Sequence, residues 1–197
     1  MGKYIKVTNQ YDRQAFMLLR ATGHATGKQL KKCGISDTKI KNWCREKAFE
    51  KVPYQVKGQE QNQICYRLTS HGREVGAEKW GLKNYAQNTI SHERHNLDVA
   101  EKYVSLSVSE RESVRNEIDL REIVQERIYE IEQKNERDQY QELLDQGAMS
   151  MPDITYTTTE GVTIAYETTT NNYSEVEIQA KEETCQFLNI ELEQHKI

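Results

Sequence analysis

Two carboxylates stand out first. Asp153 opens the stretch "PDITYTTT", and Glu167 lies inside the next, "VTIAYETTT". Both stretches are rich in threonine, tyrosine and isoleucine, which suit a pleated surface. A carboxylate at the head of one strand and another inside its neighbour could together hold a divalent ion, which would activate water and offset charge on a phosphoryl transition state. A second group lies far upstream in "SDTKIKNWCREKAF", where Lys39, Lys41, Asn42 and Arg45 are interleaved with Ile40, Trp43 and Cys44. At helical spacing the apolar set faces inward and the polar set outward. Arg45 and Lys39 would then reach guanine edges or phosphates, and Asn42 an adenine.

The elements that must carry the upstream group follow from caps and periodicity. Thr8 is expected to cap a helix with Ala15, Phe16, Leu18 and Leu19 on one face, ended by Gly23. Thr26 opens a short second helix closed by Gly34, and Ser36 caps the third through Phe49, with Asp37 in its first turn. Val52, Tyr54 and Val56 then alternate with polar residues, as do Ile64, Tyr66 and Leu68, which predicts a hairpin around a polar link. Lys57 falls at the hairpin tip and could touch backbone or minor groove. Ser70 is expected to cap one more helix. Three helices followed by a hairpin is the order of a winged helix-turn-helix.

The second group needs a different frame. "SHERHNLDVAEKYVSLS" reads as a helix with Leu97, Ala100 and Val104 on its apolar face. His92 and His95 lie one turn apart, and without a third ligand of matching character nearby they are read as helix-end packing or capping. Residues 113–120 read as a strand and 121–147 as helix, able to break near Asn135. The two threonine-rich strands form a hairpin around Glu160 and Gly161. Ser174 caps a helix expected to turn Val176, Ala180, Cys185 and Leu188 inward, and Ile190 and Leu192 mark a last strand.

Charge divides the chain at the same place. Residues 1–90 hold 17 Lys and Arg against 7 Asp and Glu, a net of +10, while residues 91–197 hold 10 against 24, a net of −14. The division predicts an α+β protein of two modules, 1–90 basic and 91–197 acidic, the latter with a helical insertion at about 121–147. The basic module would face phosphates; the acidic one would repel them. No apolar run of membrane-spanning length exists, and four cysteines lie far apart without a C-x-x-C pair. A cytoplasmic protein is expected.

The order helix, strand, strand, strand, helix, strand, with "PD" heading one strand and "YET" in the next, resembles the PD-(D/E)XK nuclease superfamily. A winged helix followed by that frame resembles the replication-relaxation family of plasmids, phages and integrative elements. The stretches "HERHNLDVAEKYVSL", "NEIDLR", "PDITY" and "AYETTTNNYSEVEIQAKEE" carry the likeness. It implies DNA work in replication, relaxation or transfer of a mobile element. The expectation built on it is an accessory protein on double-stranded DNA, a homodimer whose acidic half pairs subunits or recruits a replication, transfer or transcription partner. The likeness also implies site residues: Asp153 and Glu167 as the strand carboxylates, and Glu101 or else Glu117 as a helix glutamate, together holding Mg²⁺ or Mn²⁺. Where the pattern places its lysine the chain has Thr169, which leaves Lys181 on the following helix as the substitute. With that lysine displaced and glutamates crowding residues 110–147, the expectation is a DNA-binding protein that works without a cofactor. A metal-dependent endonuclease and a winged helix that docks protein are the alternatives.

Overall fold

The computed structural model describes residues 4–5, 7–55, 61–87, 93–171 and 173–197 of the 197-residue chain. Val56, Lys57 and His92 lie outside the described residues. The chain is mixed α+β and divides into two compact units, Met1–Ser107 and Val108–Ile197.

The first unit runs α1 (Gln10–Thr22), β1 (Ala25–Thr26), α2 (Gly27–Lys32), α3 (Asp37–Arg45), β2 (Phe49–Tyr54), β3 (Gln63–Leu68), α4 (Ser70–Trp80) and α5 (Glu93–Ser105). Local chemistry sets most boundaries. Asn9, one residue beyond the expected Thr8, caps α1 in a reciprocal box with Asp12, and Gly23 closes it with φ 76°. Thr26 caps α2 through a box with Gln29, and Ser36 caps α3 by accepting from the Lys39 amide. α3 is shorter than its sequence suggests. Lys47 takes φ 60° and turns the chain, so Phe49 leaves the helix and pairs with Leu68 as the first rung of the β2–β3 ladder. β1 adds antiparallel to the far side of β3, giving the order β1-β3-β2.

Phe16 centres the core of this unit. Its ring lies 4.9 Å from Trp43, 5.1 Å from Phe49 and 4.8 Å from Trp80, which ties α1 to α3, β2 and α4. α4 is capped by Thr69 rather than the expected Ser70, which becomes its first residue; the Thr69 hydroxyl accepts from the Gly72 amide and donates to the Lys47 carbonyl. At Gly72 the helix presses on backbone: a Cβ there would stand 2.1 Å from the Ala48 carbonyl oxygen. α5, expected to open the acidic module, belongs instead to this unit. Gln29 donates 2.8 Å to the Leu97 carbonyl, Asn96 meets His24 at 3.0 Å, and Ala100 and Tyr103 are fully buried.

The second unit runs α6 (Val108–Ser113), β4 (Arg115–Asn116), α7 (Glu117–Tyr129), α8 (Lys134–Asp145), β5 (Ile154–Thr157), β6 (Thr163–Thr169), α9 (Glu175–Leu188) and β7 (Glu191–Lys196). Its sheet has the order β4-β5-β6-β7, with β4, β5 and β6 antiparallel in turn and β7 parallel to β6 through the α9 crossover. The strand expected over 113–120 shrinks to Arg115–Asn116. Asn116 accepts from the Ile118 and Asp119 amides while the Asp119 carboxylate accepts from the Asn116 amide, so a capping box starts α7 where a strand was read. The helical stretch breaks at residues 130–133, ahead of Asn135, and its halves close on one core of Leu120, Val124, Ile128, Leu144, Met149 and Met151. On α9, Ala180 and Cys185 are buried as expected, but Val176 is 74% exposed because it sits in the first turn, beyond the edge of the sheet side.

Among the described residues no helix is long and apolar enough to cross a membrane, and the four cysteines form no disulfide.

Candidate functional site

In the first unit the polar residues of α3 separate into two groups. Lys41 and Arg45 are exposed, and Asn42 is half-buried beside them. The Arg45 guanidinium lies over the Tyr4 ring, 5.6 Å from its centroid. Lys28 on α2, Lys47 in the turn after α3 and Lys51 on β2 are exposed too.

Lys39 belongs to the other group. Its ammonium donates 2.7 Å to the Val7 carbonyl and lies 3.2 Å from the Asp12 carboxylate, which is 1% exposed. Trp43 donates its indole N–H to the same carboxylate at 2.8 Å. Asp12 is thus a buried charge satisfied by an ammonium, an indole and its own capping role, and Lys39 is engaged inside the unit rather than pointing outward.

In the second unit the two strand carboxylates meet. Antiparallel pairing of β5 with β6 sets Ile154 opposite Tyr166, which brings the flanking Asp153 and Glu167 together. Each side chain then accepts from the other's strand: Asp153 from the Thr168 amide at 2.8 Å, Glu167 from the Asp153 amide at 3.0 Å. Lys181, two turns into α9 from its Ser174 cap, places its ammonium 3.0 Å from Glu167 Oε1 and donates 2.8 Å to the Met151 carbonyl. Tyr173, just ahead of that cap, donates 2.8 Å to the same carboxylate oxygen. Thr169, at the position of the missing lysine, is buried.

Glu167 is 1% exposed. Burial first, then the charge of Asp153, pushes its carboxyl up to about 7, against the pull of Lys181 and the Tyr173 hydroxyl. Burial and the neighbouring Glu167 push the Tyr173 phenol up as well. Tyr173 has no signal in the sequence: it is one tyrosine in a polar turn, and only the fold brings it to Glu167.

A divalent ion at these carboxylates would have to share them with the protein's own donors. Both Glu167 oxygens and the Asp153 Oδ2 already accept hydrogen bonds from an ammonium, a hydroxyl and two amides. Mg²⁺ needs close, near-octahedral oxygen ligation and would have to displace the Lys181 ammonium. Glu101 lies on α5 in the first unit, where it accepts from Gln29 at 3.2 Å and pairs with Lys32. Burial works to raise its pKa, but the hydrogen bonds from Lys32 and Gln29 outweigh that and leave it lowered. Glu117 is exposed at the first position of α7.

Comparison with protein-family models, with curated proteins and with solved structures gave no match. The functional reading therefore rests on the chain's own geometry.

Proposed function

We propose that this chain binds duplex DNA through its first unit, with α3 as the reading helix. The observation that carries the proposal is the α3 surface: a helix capped by Ser36, pinned from behind by Trp43 on Phe16, and exposing Lys41 and Arg45. The order helix, strand, helix, helix, strand, strand, with sheet order β1-β3-β2, supports a winged helix-turn-helix. The order β4-β5-β6-β7 with a parallel last strand supports reading the second unit as a PD-(D/E)XK-like frame. In that frame Asp153, Glu167 and Lys181 bond mainly to one another and to backbone, which favours a scaffold over a cleaving site. On the likeness to the replication-relaxation family, the DNA belongs to a plasmid, phage or integrative element, and the role is accessory or regulatory in its replication, transfer or transcription.

The test is binding of the full chain to duplex fragments selected from a random pool, followed by fluorescence anisotropy across a salt series. Arg45→Ala is expected to weaken binding several-fold and to lower the slope of log affinity against log salt by about 1. No retained duplex at low salt overturns the proposal.

A further inference from the structure

The last strand raises a separate question. Among the described residues β7 is the outer strand of its sheet, paired on the β6 side alone, and Glu191, Glu193, Gln194, His195 and Lys196 are all exposed. It pairs with β6 over six residues in unbroken register, with no bulge and no proline. Glu191, Glu193 and Lys196 blunt that edge against indiscriminate pairing, so a strand that joins it must match this charge pattern in register.

The direction of its backbone groups is fixed by the β6 ladder. The Ile197 amide donates to the Thr169 carbonyl at 3.0 Å. Along a strand the N–H and C=O of one residue point the same way and alternate from residue to residue. The odd positions 191, 193, 195 and 197 therefore face β6, while Leu192, Gln194 and Lys196 turn their N–H and C=O groups outward.

A second copy of the same strand can meet those groups only in certain registers. In a closed twofold antiparallel pair, one residue must face itself. The two registers of fullest overlap centre on Glu193 or on Gln194, and both engage the outward groups. Centring on Glu193 sets two carboxylates face to face in a non-hydrogen-bonded pair, where side chains come closest. Centring on Gln194 removes that repulsion. Gln194 exchanges both backbone bonds with its twin, and Leu192 exchanges them with Lys196, whose aliphatic stem covers the leucine. On the opposite face Glu193 stands across from the partner copy's imidazole at position 195. Glu193 and His195 share that face already, Glu193 accepting 3.3 Å from the Tyr156 hydroxyl and His195 stacking 6.3 Å from Tyr166.

We propose that the β7 edge is a self-association surface, through which two copies of this chain join their sheets antiparallel about a twofold axis at Gln194. The inference does not depend on what the first unit binds.

Sedimentation equilibrium of the full chain over a dilution series is expected to give a mass of twice 23.0 kDa. Gln194→Pro removes an outward N–H and leaves the β6 ladder intact, so the variant should be monomeric with unchanged far-ultraviolet circular dichroism. His195→Glu opposes two carboxylates across the axis and should weaken association at least tenfold. The reversed pair Glu193→Lys with His195→Glu should restore it. A monomeric parent chain, or a dimer that survives Gln194→Pro, overturns the proposal. A reversed pair that fails to restore what His195→Glu lost overturns the register.

Discussion

The two units treat charge in opposite ways. In the first, Lys41 and Arg45 on α3, Lys28 on α2, Lys47 in the turn and Lys51 on β2 sit at the surface. In the second, Glu167 and Lys181 are 1% and 12% exposed, and their partners are each other, Tyr173 and two stretches of backbone. Exposed cations on a rigid helix keep most of their attraction for an external anion. Buried ions held by several hydrogen bonds spend theirs on internal geometry, and their removal is felt as lost stability. Lys39 shows that the distinction is one of environment rather than residue type. It is a lysine of α3 that behaves like one of the second unit, because Asp12 lies beneath it.

The sharpest way to break this contrast is at Glu167. Glu167→Ala leaves the Lys181 ammonium without its anion and the Asp153 amide without its acceptor. It should cost about 3–5 kcal/mol in urea denaturation, with DNA affinity of the folded fraction unchanged. A variant that melts like the parent would show that the cluster is not structural.

The α3 lysines give a smaller and more pointed comparison. Lys39→Ala should lower stability by roughly 1–3 kcal/mol, as expected for uncovering a buried hydrogen-bonded carboxylate, and should leave DNA affinity within about twofold. Lys41→Ala should do the reverse, with stability within about 0.5 kcal/mol of the parent and affinity reduced several-fold. Paired denaturation and anisotropy titrations on the two variants decide it.

The finest distinction is in pH. With its carboxyl raised to about 7 in the folded chain, Glu167 binds a proton that the unfolded chain takes up only near its ordinary 4.5. Between those values the folded state holds more protons, so this group's contribution to stability grows as pH falls from 7 towards 4.5 and levels off below. Denaturation midpoints of the parent and of Glu167→Gln, compared from pH 8 to pH 4.5, should diverge in that sense. Parallel curves would mean that Lys181 keeps the carboxylate ionised throughout.

What the sequence reveals of this molecule is mostly local. The Thr26, Ser36 and Ser174 caps, the β2–β3 hairpin and the threonine-rich strands are readable because each is decided within a few residues. Residues 113–120 mislead because apolar residues alternate there while Asn116 and Asp119, at capping-box spacing, start a helix. α5 is readable as a helix but not as a member of the first unit, since that depends on Gln29 reaching the Leu97 carbonyl. At the sites, Asp153 and Glu167 can be paired from a hairpin's register, and Lys181 enters as a lysine of the next helix. Tyr173 and the Asp12–Lys39 bond need three-dimensional proximity between segments that share no pattern.

The seat of α4 has a consequence for α3. Thr69 grips the carbonyl of the turn that ends α3, and it can do so because Gly72 lets α4 lie flat on Ala48. A side chain at position 72 would lift that helix, slacken the turn at Lys47 and allow another residue or two to wind onto α3. The length of α3 is therefore gauged from the rear, by a missing methyl group on its neighbour.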